Sequence, residues 1–444
     1  MIPEVSFLKV NRLYRQNGPE FVRQLQQQHG DLFRIGPRLL PGLPYLYFLL
    51  DAEAIYHLLV KQRPMLEKPR LSRRILQSSF GNGLFTSRGD HWRQQRRLMQ
   101  PAFHHAQVGR YAEQIVRHTE AMLAVWQDGA VIAIDEAMHA LTFTIVVDAL
   151  FSADASEKMT LVQQAMRDLG QGLTIQNQSP LLMLLPDWFP WPALRQKQRG
   201  AQALDRLVWQ MIDERRALGE TDSPSDLLST LLFTREEETG ETMSDQQLRD
   251  ELVTLYIAGH ETTAVLLNWT WVLLSQHPGI AVDLQAELAG VLKGRSPTFD
   301  DLPHLPLTNA IIKEALRLYP PAWFLFREIP EGLTIWNEPI PAGSVIFLFS
   351  YAVHHDPRWY ENPQNFRPAR WLEGLEQTLP KGTYLPFGLG PRICIGNGFA
   401  QMEAQLILAT IAQHFRLHQL NEAKMQPAPT LGFAEPVSMR LYEY

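Results

Sequence analysis

The sequence predicts a mainly α-helical protein with small β-sheets, on the basis of three observations. Most of the 444 residues lie in segments whose apolar side chains recur at helical spacing along one face. Segments with the alternating pattern of a strand are few and short. One segment near residues 244–276 stays apolar over the length of a buried central helix. We therefore expect one domain over residues 1–444, with a small strand-rich part at about residues 1–60 and a helix-rich remainder.

Each predicted element follows from one of these two periodicities. The predicted helices are Pro19–His29, Asp90–Gln100, Gly109–Trp126, Ile132–Phe151, Ala201–Leu218, Asn309–Leu318 and Asn397–Phe415. The predicted strands are Leu32–Ile35, Tyr45–Leu50, Leu333–Ile335 and Ser344–Leu348. Proline-rich segments at Pro186–Pro192 and Pro320–Pro321 predict turns between packed elements. No repeat or Gly/Ser-rich linker marks a second domain.

The long apolar segment has a defined start and end. Ser244 and Gln247 match a capping box, and a His-Pro-Gly sequence after Gln276 ends the helix. Its roughly 32 residues would extend about 48 Å. The part 252–274 is also long enough for a bilayer, but Glu261 lies at its centre, where an acidic residue costs roughly 2.5–3.5 kcal/mol on insertion. We therefore predict a buried helix of a soluble protein.

Composition and charge exclude several classes of function. The formal net charge of −6 argues against general nucleic-acid binding. The single cysteine cannot form an intrachain disulfide or a cysteine-based zinc site, and it fits a reducing compartment. The first residues lack the apolar core of a signal peptide or of an N-terminal anchor. We expect a cytoplasmic monomer without an integral membrane anchor.

The single cysteine, Cys394, allows three interpretations. It could pack as a small buried hydrophobe, act as a nucleophile beside a base, or bind a metal or haem as a thiolate. Gly388, Gly390 and Gly396 would let the backbone approach a flat group closely. Arg392 offers a cation beside the sulfur, and the helix predicted to follow has an end that favours negative charge by typically 0.3–1 kcal/mol. These surroundings favour the thiolate ligand.

The stretch around this cysteine, PFGLGPRICIG, resembles the haem-ligand loop of cytochrome P450s, whose pattern is Phe-x-x-Gly-x-Arg-x-Cys-x-Gly. The matching positions are Phe387, Gly390, Arg392, Cys394 and Gly396. The resemblance implies the cytochrome P450 fold, with haem b (iron protoporphyrin IX) between the long central helix and the cysteine loop. It also implies that Cys394 ligates the iron. Further cofactor contacts implied in this region are Phe387, Arg392, Gly396 and Ala400.

Glu314 and Arg317 lie three residues apart in the segment EALR and share one face of a predicted helix. By itself this spacing is most simply an exposed ion pair. In cytochrome P450s such a pair belongs to a buried structural triad, whose third member comes from a Phe-x-Pro-x-Arg segment. The segment FRPARW supplies Arg370. The resemblance therefore implies a structural triad of Glu314, Arg317 and Arg370.

Contacts with the haem propionates are implied by the same resemblance. The segment DHWRQQRRLMQPAF resembles the helix whose Trp and Arg reach a propionate, here Trp92 and Arg96. Arg327 stands where the family often places a second propionate arginine. His355 stands where arginine is common, so its contact with a propionate is left open.

The segment AGHETT interrupts the apolar helix. A helical glycine costs about 1 kcal/mol relative to alanine, and Thr262 can bond back to the Ala258 carbonyl and bend the helix, so a packing kink is one interpretation. The segment also matches the P450 pattern Ala/Gly-Gly-x-Asp/Glu-Thr-Thr/Ser over the distal face of the haem. There Ala258 and Gly259 would contact the cofactor, Thr262 would hold water and Glu261 would relay protons from solvent.

This acid–alcohol pair implies a monooxygenase that inserts one atom of O2 into its substrate and releases the other as water. Peroxide-dependent and isomerising haem-thiolate enzymes often lack the pair. They remain alternatives, as does a non-enzymatic haem sensor.

The electrons are expected from a separate protein. The sequence has no Gly-x-Gly-x-x-Gly fingerprint and no cysteine set for an iron–sulfur cluster. We therefore expect no fused reductase, and a ferredoxin or flavodoxin with its reductase as donor. Four basic residues could form a docking face for an acidic partner, or their charges could simply be solvated. They are Arg93, Arg97, Lys381 and Arg392.

The substrate pocket implied by the resemblance is apolar. Its residues would be Leu84, Phe85, Tyr256, Ala258, Trp323 and Phe324. The segments EALRLYPPAW and AGHET are similar to those of bacterial carotenoid-hydroxylating P450s, and fatty-acid-hydroxylating members are similar too. We expect a long apolar substrate such as a terpenoid, carotenoid or fatty acid. The segment Leu181–Leu194 could touch a membrane surface to collect it, although a lid that connects two helices is the simpler interpretation.

Overall fold

The computed structural model describes residues 2–36, 44–61, 66–152, 156–178, 185, 188–224, 226–235, 240–427 and 430–444. Its α-helices are α1 (Phe7–Asn17), α2 (Glu20–His29), α3 (Ala52–Tyr56), α4 (Arg70–Phe80), α5 (Gly89–Met99), α6 (His105–Val108), α7 (Ala112–Leu123), α8 (Ile134–Phe151), α9 (Ser156–Gln178), α10 (Pro192–Asp222), α11 (Leu227–Phe233), α12 (Asp245–Gln276), α13 (Pro278–Leu292), α14 (Pro306–Leu318), α15 (Ser350–His354), α16 (Ala369–Leu372), α17 (Leu375–Thr378) and α18 (Asn397–His414). Short 3-10 or π turns span His57–Lys61, Gln100–Phe103, Gly109–Tyr111, Phe299–His304 and Gly390–Arg392. The β-strands are β1 (Glu4–Ser6), β2 (Leu32–Gly36), β3 (Leu46–Leu49), β4 (Val131–Ala133), β5 (Leu325–Ile329), β6 (Leu333–Ile335), β7 (Glu338–Ile340), β8 (Ser344–Leu348), β9 (Phe415–Gln419), β10 (Met425–Pro427), β11 (Leu431–Phe433) and β12 (Ser438–Glu443).

The predicted elements are present, and they differ from the structure mainly at their ends. Strands β6 and β8 have the predicted bounds. The capping box of α12 is confirmed, because the Ser244 N–H donates to Gln247 Oε1 at 2.8 Å and the Gln247 N–H donates to Ser244 Oγ at 3.3 Å. The predicted helix Ala201–Leu218 was too short. Its helix, α10, begins at Pro192, since a proline ring suits the first helical position.

The described residues form two compact units. The first unit comprises residues within 1–69, 115–139 and 262–444, and it contains all the strands named above. The second comprises residues within 70–114 and 140–261, and it is built of helices. The division passes through α12, whose residues up to Glu261 belong to the second unit.

The largest sheet of the first unit has the strand order β1-β2-β3-β8-β5. The β1–β2 and β3–β8 pairs are parallel, whereas β2–β3 and β8–β5 are antiparallel. Both faces are buried: Leu32 and Leu49 lie in one apolar cluster, and Phe33 and Phe48 lie in another. A buried strand needs hydrogen-bond partners on both edges. The strand-rich part therefore extends beyond the N-terminal strands to include β8 and β5.

The remaining sheets of the first unit are small. Strands β4, β12 and β9 form an antiparallel sheet, and β6–β7 and β10–β11 are antiparallel pairs. Helix α18 is buried from Met402 to Ala412 and packs against α13 and α14. These contacts fix α18, the helix that directly follows the cysteine loop in the sequence.

In the second unit, α9 and α10 pack closely because of a glycine. A Cβ on Gly200 would lie 2.4 Å from the carbonyl oxygen of Ala165. Among the described residues, no helix has both the length and the apolar character to cross a bilayer. Of the segment Leu181–Leu194, for which a membrane contact was considered, residues 181–184 and 186–187 lie outside the described part of the chain.

Candidate active site

The backbone of the cysteine loop folds back on itself. The Cys394 N–H donates to the Phe387 carbonyl at 3.0 Å, and the Ile393 N–H donates to the Gly390 carbonyl at 3.1 Å. Gly388 and Gly390 both have φ of 73°, a left-handed conformation that costs other residues roughly 1–2 kcal/mol. The loop therefore turns sharply and leaves the Cys394 thiol exposed.

Gly390 also lets two backbone segments approach closely. A Cβ at this position would lie 2.2 Å from the carbonyl oxygen of Leu59. Gly396 caps α18, and the Ala400 N–H donates to the Gly396 carbonyl at 2.9 Å in the first turn. The thiol is thus held next to the N-terminal end of a long helix, which favours a negative charge.

Positive charge is concentrated at this loop within the first unit. Arg327 is buried, and burial together with the nearby Arg392 lowers its pKa to about 10, although Glu67 opposes the shift. Burial lowers the pKa of Lys68 well below its usual value, and the two guanidiniums lower it further. Arg392 donates to Glu67 at 3.1 Å. An anion bound beside these cations would relieve their mutual repulsion.

Glu314, Arg317 and Arg370 lie in contact in the interior of the first unit. The Arg317 guanidinium donates to both carboxylate oxygens of Glu314, at 2.9 and 2.8 Å. Arg370 Nε donates to Glu314 Oε1 at 3.0 Å. The side chains of Glu314 and Arg317 are 0% exposed and that of Arg370 is 5% exposed. The exposed ion pair that spacing alone suggested is thereby ruled out.

Two further donors to Glu314 were not found from the sequence. The Trp371 indole donates to Glu314 Oε2 at 2.8 Å, and the Arg367 backbone N–H donates to Glu314 Oε1 at 3.1 Å. Both lie in the FRPARW segment, so the motif contained the signal. The carboxylate therefore receives donors from α14 and from the segment that enters α16.

His355 is a buried side chain of the first unit. Its Nδ1 donates to the Tyr351 carbonyl at 2.8 Å. Burial and the charge of Arg317 lower its pKa well below the usual range. A neutral imidazole is a weaker partner for a propionate than the arginine that is common at this position.

The second unit contains the other residues singled out for the cofactor. Helix α5 places Trp92 and Arg96 four residues apart and therefore on one face, and both are partly buried. Within α12, Ala258 is exposed, while a Cβ on Gly259 would lie 2.9 Å from Val146 Cγ2 of α8. Gly259 thus allows the close packing of α12 on α8.

The AGHETT segment is helical throughout. The Thr142 hydroxyl donates to the His260 carbonyl at 3.1 Å, and His260 Nδ1 donates to the Tyr256 carbonyl at 3.1 Å. Glu261 and Thr262 are both partly buried. The helix therefore needs no interruption to accommodate these polar residues.

The residues predicted for the substrate pocket have different surroundings. Leu84 and Phe85 lie between α4 and α5, and Phe85 is 43% exposed. Tyr256 is buried between α8 and α12, where its ring meets Phe143 edge-on at 5.5 Å. The packing of two helices accounts for the burial of Tyr256.

Trp323 and Phe324 lie just before β5 in the first unit. Their ring centroids are 4.7 Å apart in a T-shaped arrangement, and Trp323 is buried. Phe324 is partly buried and its ring lies 6.0 Å from that of Phe347 on β8. These aromatic rings form the apolar border of the five-stranded sheet.

Comparisons with known proteins identify the family. The sequence matches the cytochrome P450 family over residues 5–439. It is 37% identical to cyclooctatin synthase from Streptomyces melanosporofaciens, over 93% of this chain and 88% of that protein. It is 36% identical to cyclooctat-9-en-7-ol 5-monooxygenase from the same species, over 88% and 83%, respectively. It is 33% identical to pentalenene oxygenase from Streptomyces avermitilis, over 93% and 90%.

The fold leads to the same family. The crystal structure of the cytochrome P450DA heme domain matches with a TM-score of 0.88 and 26% identity, and the match covers 100% of this chain and 98% of that one. The predicted fold class, haem cofactor and monooxygenase class are confirmed. The chain belongs to the cytochrome P450 family and is a haem-dependent monooxygenase.

Proposed function

We propose that this cytochrome P450 hydroxylates a cyclic terpenoid. The observation that carries the proposal is the similarity, at 33–37% identity, to enzymes named for cyclooctatin, cyclooctat-9-en-7-ol and pentalenene. The exposed apolar ring of Phe85 suits a substrate that offers few polar groups. Carotenoids and fatty acids are longer than the ring systems of those three compounds.

We propose Cys394 as the ligand of the haem iron. The loop holds Cys394 at the N-terminal end of α18, which favours the negatively charged thiolate. Arg327 and Arg392 would bind propionate, and the repulsion between them and Lys68 supports an anion at this place. The residues of the first unit would therefore fit a cofactor that carries an anionic group and takes a thiolate ligand.

Seven further residues are proposed as cofactor contacts because the resemblance implies them. They are Trp92, Arg96, Ala258, Gly259, Phe387, Gly396 and Ala400. When bound, a thiolate-ligated haem would activate O2, from which one oxygen atom enters the substrate. The protein must then hold water and deliver protons in an apolar environment.

Proton delivery is proposed for the two polar residues in the middle of α12. The Thr262 hydroxyl would hold a water molecule by hydrogen bonds, and the Glu261 carboxylate would pass protons to it from solvent. Ala258 lies one helical turn before Thr262 on the same face, and its small side chain leaves room for that water. Glu314, Arg317 and Arg370 would brace the core without touching substrate.

The electron donor is proposed to be a separate ferredoxin or flavodoxin with its reductase, and the protein is proposed to act as a monomer. Arg93 and Arg97 on α5 are exposed, as docking to an acidic partner requires. Lys381 of the first unit is exposed as well. Arg392 pairs with Glu67 and is mostly buried, so it is a poorer docking residue. The lone cysteine is consistent with a reducing compartment such as the cytoplasm.

The test is turnover of the purified, haem-loaded protein. Cyclooctat-9-en-7-ol, pentalenene and lauric acid are supplied separately, with a ferredoxin, its reductase, NADPH and isotopically labelled O2. We expect a low-to-high-spin shift and a singly oxygenated, labelled product with a cyclic terpenoid. Binding and oxidation of lauric acid alone would contradict the terpenoid assignment. Equal turnover with hydrogen peroxide and no reductase would favour a peroxygenase instead.

A further inference from the structure

The loop between α4 and α5 is packed directly on one turn of α12. Gly81 has φ of 68°, and a Cβ there would lie 2.0 Å from Asp250 Oδ1. A Cβ on Gly83 would lie 2.7 Å from both the Asp250 carbonyl oxygen and Thr254 Oγ1. Glycine is required at Gly83 because the loop contacts the backbone of α12 there, and at Gly81 because of the positive φ and the adjacent Asp250 carboxylate.

The backbone of this loop is held by two acidic side chains of α12. The Asn82 N–H donates to Asp250 Oδ2 at 2.6 Å. The Leu84 N–H donates to Glu251 Oε2 at 2.9 Å. Asp250 in turn accepts hydrogen bonds from Arg249 Nη1, at 2.7 Å, and from Gln246. The two carboxyl groups therefore restrain the loop at two points, Asn82 and Leu84.

Bonds within the second unit complete the restraint. The Thr86 hydroxyl donates to the Gly81 carbonyl at 2.7 Å, and the Thr86 and Ser87 N–H groups donate to the Gly83 carbonyl at 3.0 and 2.8 Å. His91 Nε2 donates to the Asn82 carbonyl at 3.1 Å. With these backbone groups paired, the loop is fixed on α12 up to the two residues that follow Gly83.

Those two residues are Leu84 and Phe85, which are apolar and not fully buried. Phe85 is 43% exposed and lies 6.1 Å from the ring of Phe80 at the end of α4. We infer that Asp250 and Glu251 are positioning residues for substrate selection, which hold the loop so that Leu84 and Phe85 present a preformed apolar surface to the substrate. This inference rests on the proposed function, since it uses the same pocket.

The state of Glu251 agrees with this role. It is 0% exposed, and burial raises the pKa of its carboxyl to about 8; the Leu84 hydrogen bond lowers this pKa and Asp250 raises it. At neutral pH the side chain is therefore largely a neutral carboxylic acid that accepts from a backbone N–H. Glutamine preserves that acceptor and the shape of the side chain, whereas leucine removes the acceptor.

The experiment compares Glu251→Gln, Glu251→Leu, Gly83→Ala and the exposed control Asp213→Asn as haem-loaded proteins. Two azole probes are titrated and followed by the Soret shift: imidazole, and clotrimazole, an imidazole that carries three aryl rings. The reduced carbon monoxide spectrum and the melting temperature of each variant report whether the haem site and the fold are intact. The binding of either azole does not depend on the identity of the natural substrate. A failure of the terpenoid assignment can therefore be distinguished from a failure of this inference.

We expect Glu251→Leu and Gly83→Ala to raise the dissociation constant of clotrimazole by about fivefold to thirtyfold, because the loop must then be ordered on binding. Imidazole should bind within about twofold of the wild type, and Glu251→Gln and Asp213→Asn should match the wild type for both probes. Unchanged clotrimazole affinity in both loop variants would overturn the inference. Parallel losses for the two probes would overturn it as well, as would a Glu251→Gln defect equal to that of Glu251→Leu.

Discussion

The Nε2 atom of His354 accepts a hydrogen bond from the backbone N–H of Leu385 at 2.9 Å. The Nδ1 atom of the same ring donates to the Arg317 carbonyl at 3.2 Å, and the Arg317 guanidinium donates to the His354 carbonyl at 2.8 Å. One buried imidazole therefore joins the Glu314–Arg317–Arg370 triad to the segment that leads into the cysteine loop. The stability of the triad and the position of Cys394 should be coupled through this ring.

Replacing His354 by leucine should destabilise the folded protein. The change leaves the buried Leu385 N–H and Arg317 carbonyl without their partner, at a cost of about 2–4 kcal/mol. Urea-induced unfolding of the haem-loaded protein at pH 7.5 measures this difference. The exposed His57→Leu serves as control and should stay within about 0.5 kcal/mol of the wild type.

The difference in stability between the wild type and His354→Leu should be smaller at acid pH. Burial lowers the pKa of folded His354 to about 3, against about 6.5 in the unfolded chain. Below pH 6.5 the unfolded wild type binds a proton that the folded form does not, so the histidine's contribution to stability decreases as pH falls. The gap between wild type and His354→Leu should shrink by roughly 1.4 kcal/mol per pH unit below 6.5. A gap of constant size at pH 5.5 would contradict the neutral, buried imidazole.

Loss of Arg370 should destabilise the protein far more than loss of its neighbour Arg367. Arg370→Met removes one partner from a buried carboxylate, which typically costs about 3–5 kcal/mol. Arg367 pairs through its side chain with Glu373, and both side chains are about half exposed, so Arg367→Ala should cost less than about 1 kcal/mol. Equal urea midpoints for the two variants would show that the buried contacts of Arg370 carry little stability.

Alanine at Gly390 should disrupt the cysteine loop, whereas alanine at Gly398 should not. The new Cβ would be 2.2 Å from the Leu59 carbonyl at a positive φ, so we expect a loss of about 3 kcal/mol or more. Gly398 has open space around it, and its change should stay within about 1 kcal/mol. Haem content and the reduced carbon monoxide spectrum measure the effect; a normal thiolate-type spectrum and normal stability for Gly390→Ala would refute the close approach.

Local patterns predicted the parts of the fold that depend on neighbouring residues. The cap at Ser244, the strand Ser344–Leu348 and the i, i+3 pair of Glu314 and Arg317 are set by spacing along the chain. The pairing of β3 with β8 is a long-range contact, which the spacing of apolar residues along either strand does not predict. The sequence could therefore indicate the strands but not the sheet that they form.

The same limit applies to the candidate site. Lys68 and Glu67 are close to Arg327 and Arg392 only because the chain folds, and nothing in their own segment marks them. Tyr256 was predicted for the substrate pocket from its place on α12, and its ring also packs against Phe143 of α8. A single sequence shows which residues share a helix face but not which neighbour covers that face.

A buried glutamate on α18 should make stability depend on pH in the direction opposite to His354. Burial raises the pKa of Glu403 to about 8, and a hydrogen bond from Thr263 lowers it in part. Between pH 4.5 and 8 the folded state keeps a proton that the unfolded state releases, so the wild type loses stability as pH rises. Glu403→Gln lacks this dependence. Relative to the wild type it should gain up to about 1.4 kcal/mol per pH unit from pH 5 to 8, and a pH-independent difference in urea unfolding would argue for an ionised Glu403 in the fold.

The hydroxyl of Thr262 should decide whether the electrons taken from NADPH lead to oxygenated product or to hydrogen peroxide. Thr262→Ala removes the group proposed to hold water on α12, so proton delivery fails and electrons leave as hydrogen peroxide. The yield of oxygenated product per NADPH should fall by about tenfold or more, while the reduced carbon monoxide spectrum stays of the thiolate type. Thr262→Ser retains the hydroxyl and should couple nearly as well as the wild type. Because the two variants differ in one oxygen atom, an equal loss of coupling in both would assign the defect to packing within the helix, and normal coupling in Thr262→Ala would remove the residue from the proton path.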